Sequence, residues 1–290
     1  MPELPEVETI ARTLEPQVRG RVIHAVDVLL PKTLASGREL FSMVFPARVV
    51  GVRRRAKLLL VDIAADGQTK PTHLLAFHLK MTGKLFVHDA ATRPHKHTRV
   101  MFDLAPEGDI PAARLFFDDV RTFGYCRLMR LEDLASWPFW TNLGPEPLTL
   151  TPAEFSRALE MRRGGIKSLL LDQTVIAGIG NIYADEACFR SGIHPLTGAC
   201  GLSGSQRAAL LQSVQEVLTE SIAECGSSIR DYRDANGDAG AFQNLFRVYG
   251  RAGQPCMVCG TTLEKTVAAA RTTVFCPNCQ RRVTTCGNAI

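Results

Sequence analysis

The chain has 290 residues, of which 46% are hydrophobic, so it is long enough to bury more than one core. A net charge of +5 and a sequence pI near 8.8 are compatible with nucleic-acid binding but do not require it. The chain shows no basic segment leading into an apolar run and no stretch long enough to span a membrane, so we expect a cytoplasmic protein without membrane contact.

The first predicted element is an amphipathic helix over Leu4–Val18, where apolar residues recur at helical spacing. Removal of Met1 would leave Pro2 with a free secondary amine at the start of this helix. An α-amino group titrates near ~8, and the positive end of a helix disfavours an ammonium, so this amine is a candidate nucleophile. Glu3 lies next to it and can move protons.

The same N-terminal residues have a simpler interpretation. Pro2 and Pro5 are residue types that shape the entry to a helix, and nearby glutamates complement the positive end of its dipole. The two interpretations are not separated by these residues alone.

After the helix, short β-rich runs follow one another without intervening helices, which indicates an antiparallel sandwich or barrel. The predicted strands cover residues 22–30, 49–63, 73–79, 84–87, 99–104, 114–118 and 125–130.

The second half of the chain has helical texture. Thr151, Pro152 and Glu154 have the spacing of a capping box with proline at the first helical position. The composition divides the chain into a β-rich domain over 1–135, a linker over 136–150, a helical domain over 151–250, a cysteine-containing module over 251–281 and a tail over 282–290.

Two Cys-x-x-Cys pairs near the C-terminus have the spacing of a structural zinc site. Four thiolates complete a tetrahedral Zn²⁺ site and leave no open position for catalysis. The ligands would be Cys256, Cys259, Cys276 and Cys279. The insert between the pairs is predicted to form a β-hairpin, whose Arg271 is either a phosphate-binding residue or an ordinary exposed arginine.

Other candidates are less specific. Asn181 follows two glycines and could cap a helix whose N-terminus binds phosphate, although a structural turn accounts for the same pattern. Lys57 follows three arginines that could form a solvated face, but strand alternation would turn Lys57 away from them. Met81, Arg121 and Phe123 lie in turn-like stretches, from which side chains can either insert into a base stack or pack into the core.

Taken together, these stretches resemble the formamidopyrimidine-DNA glycosylase family over essentially the whole chain. The Leu-Pro that follows Glu3 favours this branch over the endonuclease VIII branch. The resemblance rests on Pro-Glu-Leu-Pro-Glu-Val-Glu at 2–8, Arg-Arg-Ala-Lys at 54–57, His-Leu-Lys-Met-Thr-Gly at 78–83, Leu-Gly-Pro-Glu-Pro-Leu at 143–148, Ile-Lys-Ser-Leu-Leu-Leu-Asp-Gln at 166–173, Gly-Ile-Gly-Asn-Ile-Tyr-Ala-Asp-Glu at 178–186, Val-Tyr-Gly-Arg at 248–251 and the paired cysteines.

The resemblance implies an α+β multidomain fold: an N-terminal helix plus antiparallel β-sandwich, then a helical domain with a helix–two-turn–helix and a C-terminal zinc ribbon holding one structural zinc. The implied enzyme is a bifunctional DNA glycosylase and AP lyase of base excision repair. It would excise 8-oxoguanine and formamidopyrimidines from damaged double-stranded DNA and cleave the strand by β,δ-elimination through a proline Schiff base. We expect a monomer associated with the nucleoid in a bacterial cytoplasm.

The resemblance also implies roles for individual residues. The catalytic set comprises Pro2 as nucleophile, Glu3 as the acid that assists base release and ring opening, Lys57 as proton donor in β-elimination and Arg271 in δ-elimination. DNA contacts would come from His97, Arg121, Arg162 and Asn181. Met81, Arg121 and Phe123 would fill the gap left by the everted nucleotide, and residues 227–240 would cover the flipped base.

Two departures from the family pattern stand out. Thr122 replaces a phosphate-contacting arginine, and Arg99 stands where a second histidine is frequent, so Arg99 could compensate for the lost charge. Two alternatives stay open: an endonuclease VIII-like enzyme that prefers oxidised pyrimidines, and a non-catalytic zinc-ribbon protein that binds nucleic acid.

Overall fold

Helix α1 spans Leu4–Val18, as its sequence periodicity predicts. The residues on its apolar face, including Leu4, Val7 and Leu14, are completely buried. A reciprocal capping box between Glu3 and Glu6 begins the helix and satisfies backbone N–H groups that the first turn leaves unpaired. The element that carries Pro2 is therefore fixed at its start.

Eight antiparallel strands form one sheet in the spatial order β5-β7-β6-β1-β2-β3-β4-β8. Their bounds are Val22–Val28 for β1, Ala47–Arg55 for β2, Leu58–Ala65 for β3, His73–His78 for β4, Gly83–Asp89 for β5, Thr98–Leu104 for β6, Ala113–Asp119 for β7 and Tyr125–Arg130 for β8. A short helix α2, Arg38–Val44, lies between β1 and β2.

One predicted strand was wrong. Residues 49–63 do not form a single strand, because β2 and β3 are paired through a two-residue turn at Ala56 and Lys57. Ala56 adopts a left-handed φ of 54°. The turn contains neither glycine nor proline, so the sequence carried no signal for it.

The sheet encloses the first core. Side chains from all eight strands and from α1 form one buried apolar cluster. Phe77 of β4 contacts Phe117 of β7 with ring centroids 5.4 Å apart, although the two strands are far apart in the hydrogen-bonding order. The two halves of the sheet therefore face each other, as the predicted β-sandwich requires.

The outer face of β3, β4 and β8 is covered by residues that follow β8. Trp137 packs there on Leu60 and Met129, and the short helix α3, Pro138–Thr141, follows it. Residues 136–141 of the predicted linker thus belong to the first compact unit, which contains Met1–Thr141 and Glu224–Ala241.

The second unit contains Asn142–Ala223 and the chain from Phe242 onward. Its helices are α4 at Pro152–Leu159, α5 at Ile166–Leu171, α6 at Asn181–Arg190 and α7 at Gly204–Ala223. The predicted capping box of α4 is present, with the Thr151 N–H donating to Glu154 Oε2 over 2.9 Å. Strands β9, Glu264–Ala268, and β10, Arg271–Phe275, form the predicted hairpin.

The computed structural model describes residues 1–65, 67–160, 162, 164–229 and 231–282. The predicted tail over 282–290 lies, from residue 283 onward, outside this range. Within the described part of the chain, none of the helices combines the length and the apolar character that crossing a membrane needs.

Candidate active site and DNA-binding elements

Pro2 lies directly before the N-cap of α1. Pro2 is buried and Glu3 is only 4% exposed, whereas Met1 is half-exposed. The Glu3 N–H donates to Glu6 Oε2 over 2.7 Å, which holds this turn of chain against the helix. An amine freed at Pro2 would therefore lie at the positive end of a 15-residue helix, next to a buried carboxylic acid.

Glu6 also binds a distant segment of the chain. Its Oε1 accepts a hydrogen bond from the Ser227 N–H over 2.9 Å, and the Tyr232 hydroxyl donates to the Glu6 carbonyl over 3.3 Å. Burial, followed by the charge of Glu6, raises the pKa of Tyr232, which keeps its hydroxyl a donor. The stretch 227–240, which the resemblance assigns to covering the flipped base, is thus fastened through Ser227 and Tyr232 to the helix that starts at the candidate nucleophile.

Gly226 allows this approach. Its φ is +83°, and a Cβ built there would lie 3.0 Å from the Cγ of Glu6. A side chain at this position would both strain the backbone and push Ser227 away from the Glu6 carboxylate.

Lys57 is buried in the β2–β3 turn. Next to it, Arg54 bonds Glu8 of α1 over 2.9 Å. Burial disfavours ionisation of Glu8, but the hydrogen bonds and charges of Arg54 and Arg12 outweigh it and lower the pKa of Glu8. Arg54 therefore ties the turn that carries Lys57 to α1, while Arg53 pairs with Asp62 on the neighbouring strand.

His78 is a residue near Lys57 that sequence reasoning missed. Burial, together with the charges of Lys80 and Lys57, lowers the pKa of His78 to about 3. The imidazole is therefore neutral at physiological pH, and its Nδ1 accepts the Lys80 N–H over 3.1 Å. Only its fold position at the end of β4 reveals this environment.

The three predicted void-filling residues lie together on one surface. Arg121 donates to the Met81 sulfur over 2.9 Å, and its guanidinium carbon lies 4.8 Å from the centroid of the Phe123 ring. Met81 and Phe123 are 42% and 54% exposed. Exposure of this extent excludes the alternative that these side chains pack in the core.

The segment with His97 adjoins this surface. His97 is half-buried, and partial desolvation followed by the charges of Lys96 and Arg99 lowers its pKa. Arg99 donates from Nε to the Asp119 carbonyl over 2.7 Å and from Nη1 to the Lys96 carbonyl over 3.1 Å. Arg99 thus braces two backbone segments.

In the second unit the structure brings Asn181 and Arg271 close together in space. Asn181 is the first residue of α6 and not its N-cap, as the sequence had suggested, because Gly180 takes the cap position. Its Nδ2 donates to the Thr272 carbonyl over 3.3 Å, directly beside Arg271 at the start of β10. Arg271 is exposed, as is Arg162 between α4 and α5.

A buried ion pair supports this hairpin. Lys167 Nζ lies 2.7 Å from Asp185 Oδ1, and both side chains are fully buried. Lys167 also donates to Thr273 Oγ1 over 2.7 Å, while the Val274 N–H donates to Asp185 Oδ2 over 3.3 Å. Burial raises the pKa of Asp185 to about 7, and the charge of Lys167 opposes this rise.

We expect the Lys167→Met variant to lose about 3–5 kcal/mol of unfolding free energy at pH 8, because it leaves a buried carboxylate unpaired. The raised pKa of Asp185 means that its contribution to stability is present at low pH and declines as pH rises from about 4 to 7. Without the charge of Lys167 the pKa of Asp185 rises further, so the variant continues to lose unfolding free energy above pH 7. The difference in unfolding free energy between wild type and variant should therefore be smaller at pH 5.5 than at pH 8. Urea unfolding at both pH values measures it.

The exposed Lys265 of β9 supplies the control. Lys265→Met removes a lysine charge from the hairpin that Lys167 of α5 supports, and it should change the unfolding free energy by less than about 1 kcal/mol at either pH. A Lys167→Met deficit that is equal at pH 5.5 and pH 8 would contradict the assignment to Asp185.

Four cysteine sulfurs lie within 4.8 Å of one another at one end of the hairpin, with Cys256 and Cys279 3.9 Å apart and Cys259 and Cys276 3.4 Å apart. A tetrahedral zinc with bonds of about 2.3 Å would place its sulfur ligands roughly 3.8 Å apart, so the residues fit the ion. Backbone N–H groups of Val258 and Cys279 approach two of the sulfurs at 3.5 and 3.4 Å, as expected for thiolates.

Comparison with known proteins gives family matches along most of the chain. The family profile for the formamidopyrimidine-DNA glycosylase N-terminal domain matches residues 1–126, and the profile for the H2TH domain of the same glycosylase matches residues 143–233. A third profile, described as a zinc finger found in FPG and IleRS, matches residues 253–282. One structural zinc ion therefore belongs to this protein.

Two curated relatives match over nearly the full chain. The formamidopyrimidine-DNA glycosylase of Nitratidesulfovibrio vulgaris is 45% identical, over 97% of this chain and 100% of the relative. The glycosylase of the same name from Chloroflexus aurantiacus is 44% identical, over 97% and 98%.

The fold also resembles that of proteins in solved protein–DNA complexes. The Lactococcus lactis Fpg bound to DNA with an abasic site matches with a TM-score of 0.87 and 33% identity, over 97% of this chain and 100% of that one. The same protein with DNA containing an oxidised pyrimidine matches with a TM-score of 0.86, 32% identity and the same coverage.

Fold, zinc finger and N-terminal site together define a DNA-binding repair enzyme, a DNA glycosylase and AP lyase of base excision repair. The identity and coverage place it further: the chain belongs to the formamidopyrimidine-DNA glycosylase family.

Proposed function

We propose that the protein removes oxidised purines, 8-oxoguanine and formamidopyrimidines, from duplex DNA and then cleaves the strand by β,δ-elimination. The observation that carries this proposal is the arrangement around Glu6, which links the candidate nucleophile to Ser227 in the stretch 227–240. A base rotated out of the DNA duplex would be held by that stretch. Because the stretch is bonded to α1, the base would be fixed in position relative to the same protein helix that positions the amine.

The chemistry begins when Met1 has been removed. The nitrogen of Pro2 forms a bond to C1′ of the damaged nucleoside, and the C1′–base bond breaks with its electron pair leaving on the base. Glu3 supplies the proton that the departing base requires. The nitrogen, now bonded to C1′, passes its proton to the Glu3 carboxylate, which delivers it to O4′ as the C1′–O4′ bond breaks, so the sugar ring opens and an iminium forms between the nitrogen and C1′. The iminium withdraws electrons from C2′, so the C2′ proton becomes acidic. Loss of that proton forms the C2′–C3′ double bond, and the C3′–O bond breaks with its electron pair leaving on the 3′ phosphate.

Two cations would assist the eliminations. Lys57, buried beside Pro2's helix in the β2–β3 turn, would donate a proton during β-elimination. Arg271, in the second unit, would serve the δ-elimination that releases the 5′ phosphate. Both are cations suited to hold phosphate oxygens.

DNA would be bound through phosphates by His97, Arg121, Arg162 and Asn181. Affinity should therefore fall steeply with salt, because each contact displaces condensed counterions. We further infer that the enzyme acts as a monomer on chromosomal DNA in the bacterial cytoplasm, in keeping with its bacterial relatives.

A second lesion class is favoured by one observation. The similar Lactococcus lactis protein has been seen with DNA containing an oxidised pyrimidine. We infer that this enzyme accepts oxidised pyrimidines as a second class of lesion, more slowly than oxidised purines.

The experiment compares single-turnover incision of 8-oxoguanine and thymine-glycol duplexes, with and without borohydride. We expect a trapped adduct with both substrates and incision at least about tenfold faster on 8-oxoguanine. Faster turnover of thymine glycol would assign the enzyme to oxidised pyrimidines. A failure to trap either substrate would refute the Schiff-base chemistry itself, and undamaged duplex serves as the blank.

A further inference from the structure

Asp119, the last residue of β7, is buried beneath the exposed loops of the first unit. Its Oδ1 accepts hydrogen bonds from the Thr82 hydroxyl at 2.5 Å and the Arg121 N–H at 3.2 Å, while Oδ2 accepts the Gly124 N–H at 2.7 Å. The Thr82 hydroxyl accepts the same Arg121 N–H at 3.0 Å. One carboxylate thus joins the turn that carries Met81 to both ends of the turn that carries Phe123.

The backbone of Asp119 holds a third segment. Its N–H donates to the His97 carbonyl over 2.9 Å, and its carbonyl accepts from Arg99 Nε over 2.7 Å. Three loops that carry predicted DNA contacts therefore meet at a single residue.

The surroundings explain why this residue is an aspartate. Three donors converge on two oxygens, and an amide would turn an NH₂ group toward one of them. Gly124 is needed for the approach, since a Cβ there would lie 3.0 Å from Asp119 Oδ2 and 2.9 Å from the Phe117 ring. Between the two tethered N–H groups, Thr122 adopts a left-handed φ of 56°, a strained conformation for a β-branched residue.

We propose that Asp119 is a positioning residue, which fixes Met81, Arg121 and Phe123 relative to one another before DNA is bound. The trio then enters the base stack as one preassembled wedge. Ordering these side chains in advance avoids an entropic cost during insertion. This proposal rests on the void-filling role of the trio within the proposed function, and it adds the residue on which their joint insertion depends.

The test measures wedge insertion directly. A duplex with a stable abasic-site analogue carries 2-aminopurine next to the site, and unstacking raises its fluorescence in a stopped-flow experiment. In Asp119→Asn and in Thr82→Val, which is isosteric but lacks the hydroxyl, we expect insertion about tenfold slower. The KM for 8-oxoguanine duplex should rise, while kcat for β-elimination at saturating abasic DNA stays within about twofold.

Two further variants separate positioning from stability. Thr82→Ser restores the hydroxyl and should restore the insertion rate. Asp103→Asn removes a carboxylate that pairs with Arg114 on the same sheet, and it should insert at the wild-type rate. If Asp119→Asn does not fold, the insertion rates of Thr82→Val and Thr82→Ser test the proposal by themselves.

Wild-type insertion rates in both Asp119→Asn and Thr82→Val would overturn the proposal. Borohydride trapping on abasic DNA tests the Pro2 chemistry separately, so its failure in the wild-type enzyme would refute the proposed function and not the role of Asp119.

Discussion

Protein that keeps Met1 is expected to give no borohydride-trapped complex with abasic DNA and no incision of 8-oxoguanine duplex. In the Met1-Pro2 peptide bond the proline nitrogen is an amide, whose lone pair is delocalised into the carbonyl and is not nucleophilic. Loss of a covalent nucleophile lowers turnover by roughly 10⁴-fold or more. Intact-mass measurement defines the state of the N-terminus, and single-turnover incision gives the rate.

The matched comparison uses one sequence in two states. Protein made without methionine aminopeptidase activity retains Met1, and treatment with that enzyme in vitro should restore both the adduct and incision. Met1 is half-exposed, but Pro2 is buried. The aminopeptidase is therefore expected to remove Met1 during synthesis, or later from an N-terminus that is unfolded or partly open. Full activity in a preparation whose mass shows Met1 still attached would refute the mechanism.

The elements of the fold were largely readable from local patterns. Helix α1 was predicted because its apolar residues repeat at helical spacing, and the strands were predicted because β-branched and aromatic runs end at turn residues. The missed turn at Ala56 and Lys57 has a local cause, since it forms without glycine or proline. Helix α2 between β1 and β2 was missed as well, because the sequence analysis expected no helix among the strands. The sheet order could not be predicted, since pairing such as β1 with β6 joins distant segments.

The residues of the candidate site likewise divide into those that the sequence indicated and those that it did not. The zinc ligands follow from spacing, whereas the roles of Pro2 and Glu3, suggested by their place at the start of the chain, stay predictions. Glu6 could not be recognised as more than a helix-start glutamate, because the Ser227 N–H that it accepts is 221 positions away. Asp119 and the Lys167–Asp185 pair were missed for the same reason, since each is defined by partners that only the tertiary fold supplies.

Removal of zinc is expected to unfold the segment from about residue 253 to 282 and to abolish the δ-elimination product. A two-stranded hairpin is marginal by itself, and the apolar cluster around it is small, with two cysteine ligands among its buried residues. Binding of structural zinc contributes roughly 10–16 kcal/mol in small finger peptides, as much as the whole stability of a typical domain. Chelation, or Cys276→Ala, therefore removes the main stabilising interaction of the hairpin that presents Arg271.

Three measurements distinguish this outcome from a general loss of structure. Zinc release should be one ion per chain, proteolysis should cut first between residues 253 and 282, and any residual incision should stop at the β-elimination product because Arg271 is no longer held. Cys225→Ser is the control, since Cys225 is exposed and lies outside the cluster. It should keep zinc and the δ-product. A zinc-free protein that resists proteolysis in this segment and still yields the δ-product would show that the fold of the hairpin does not depend on the metal.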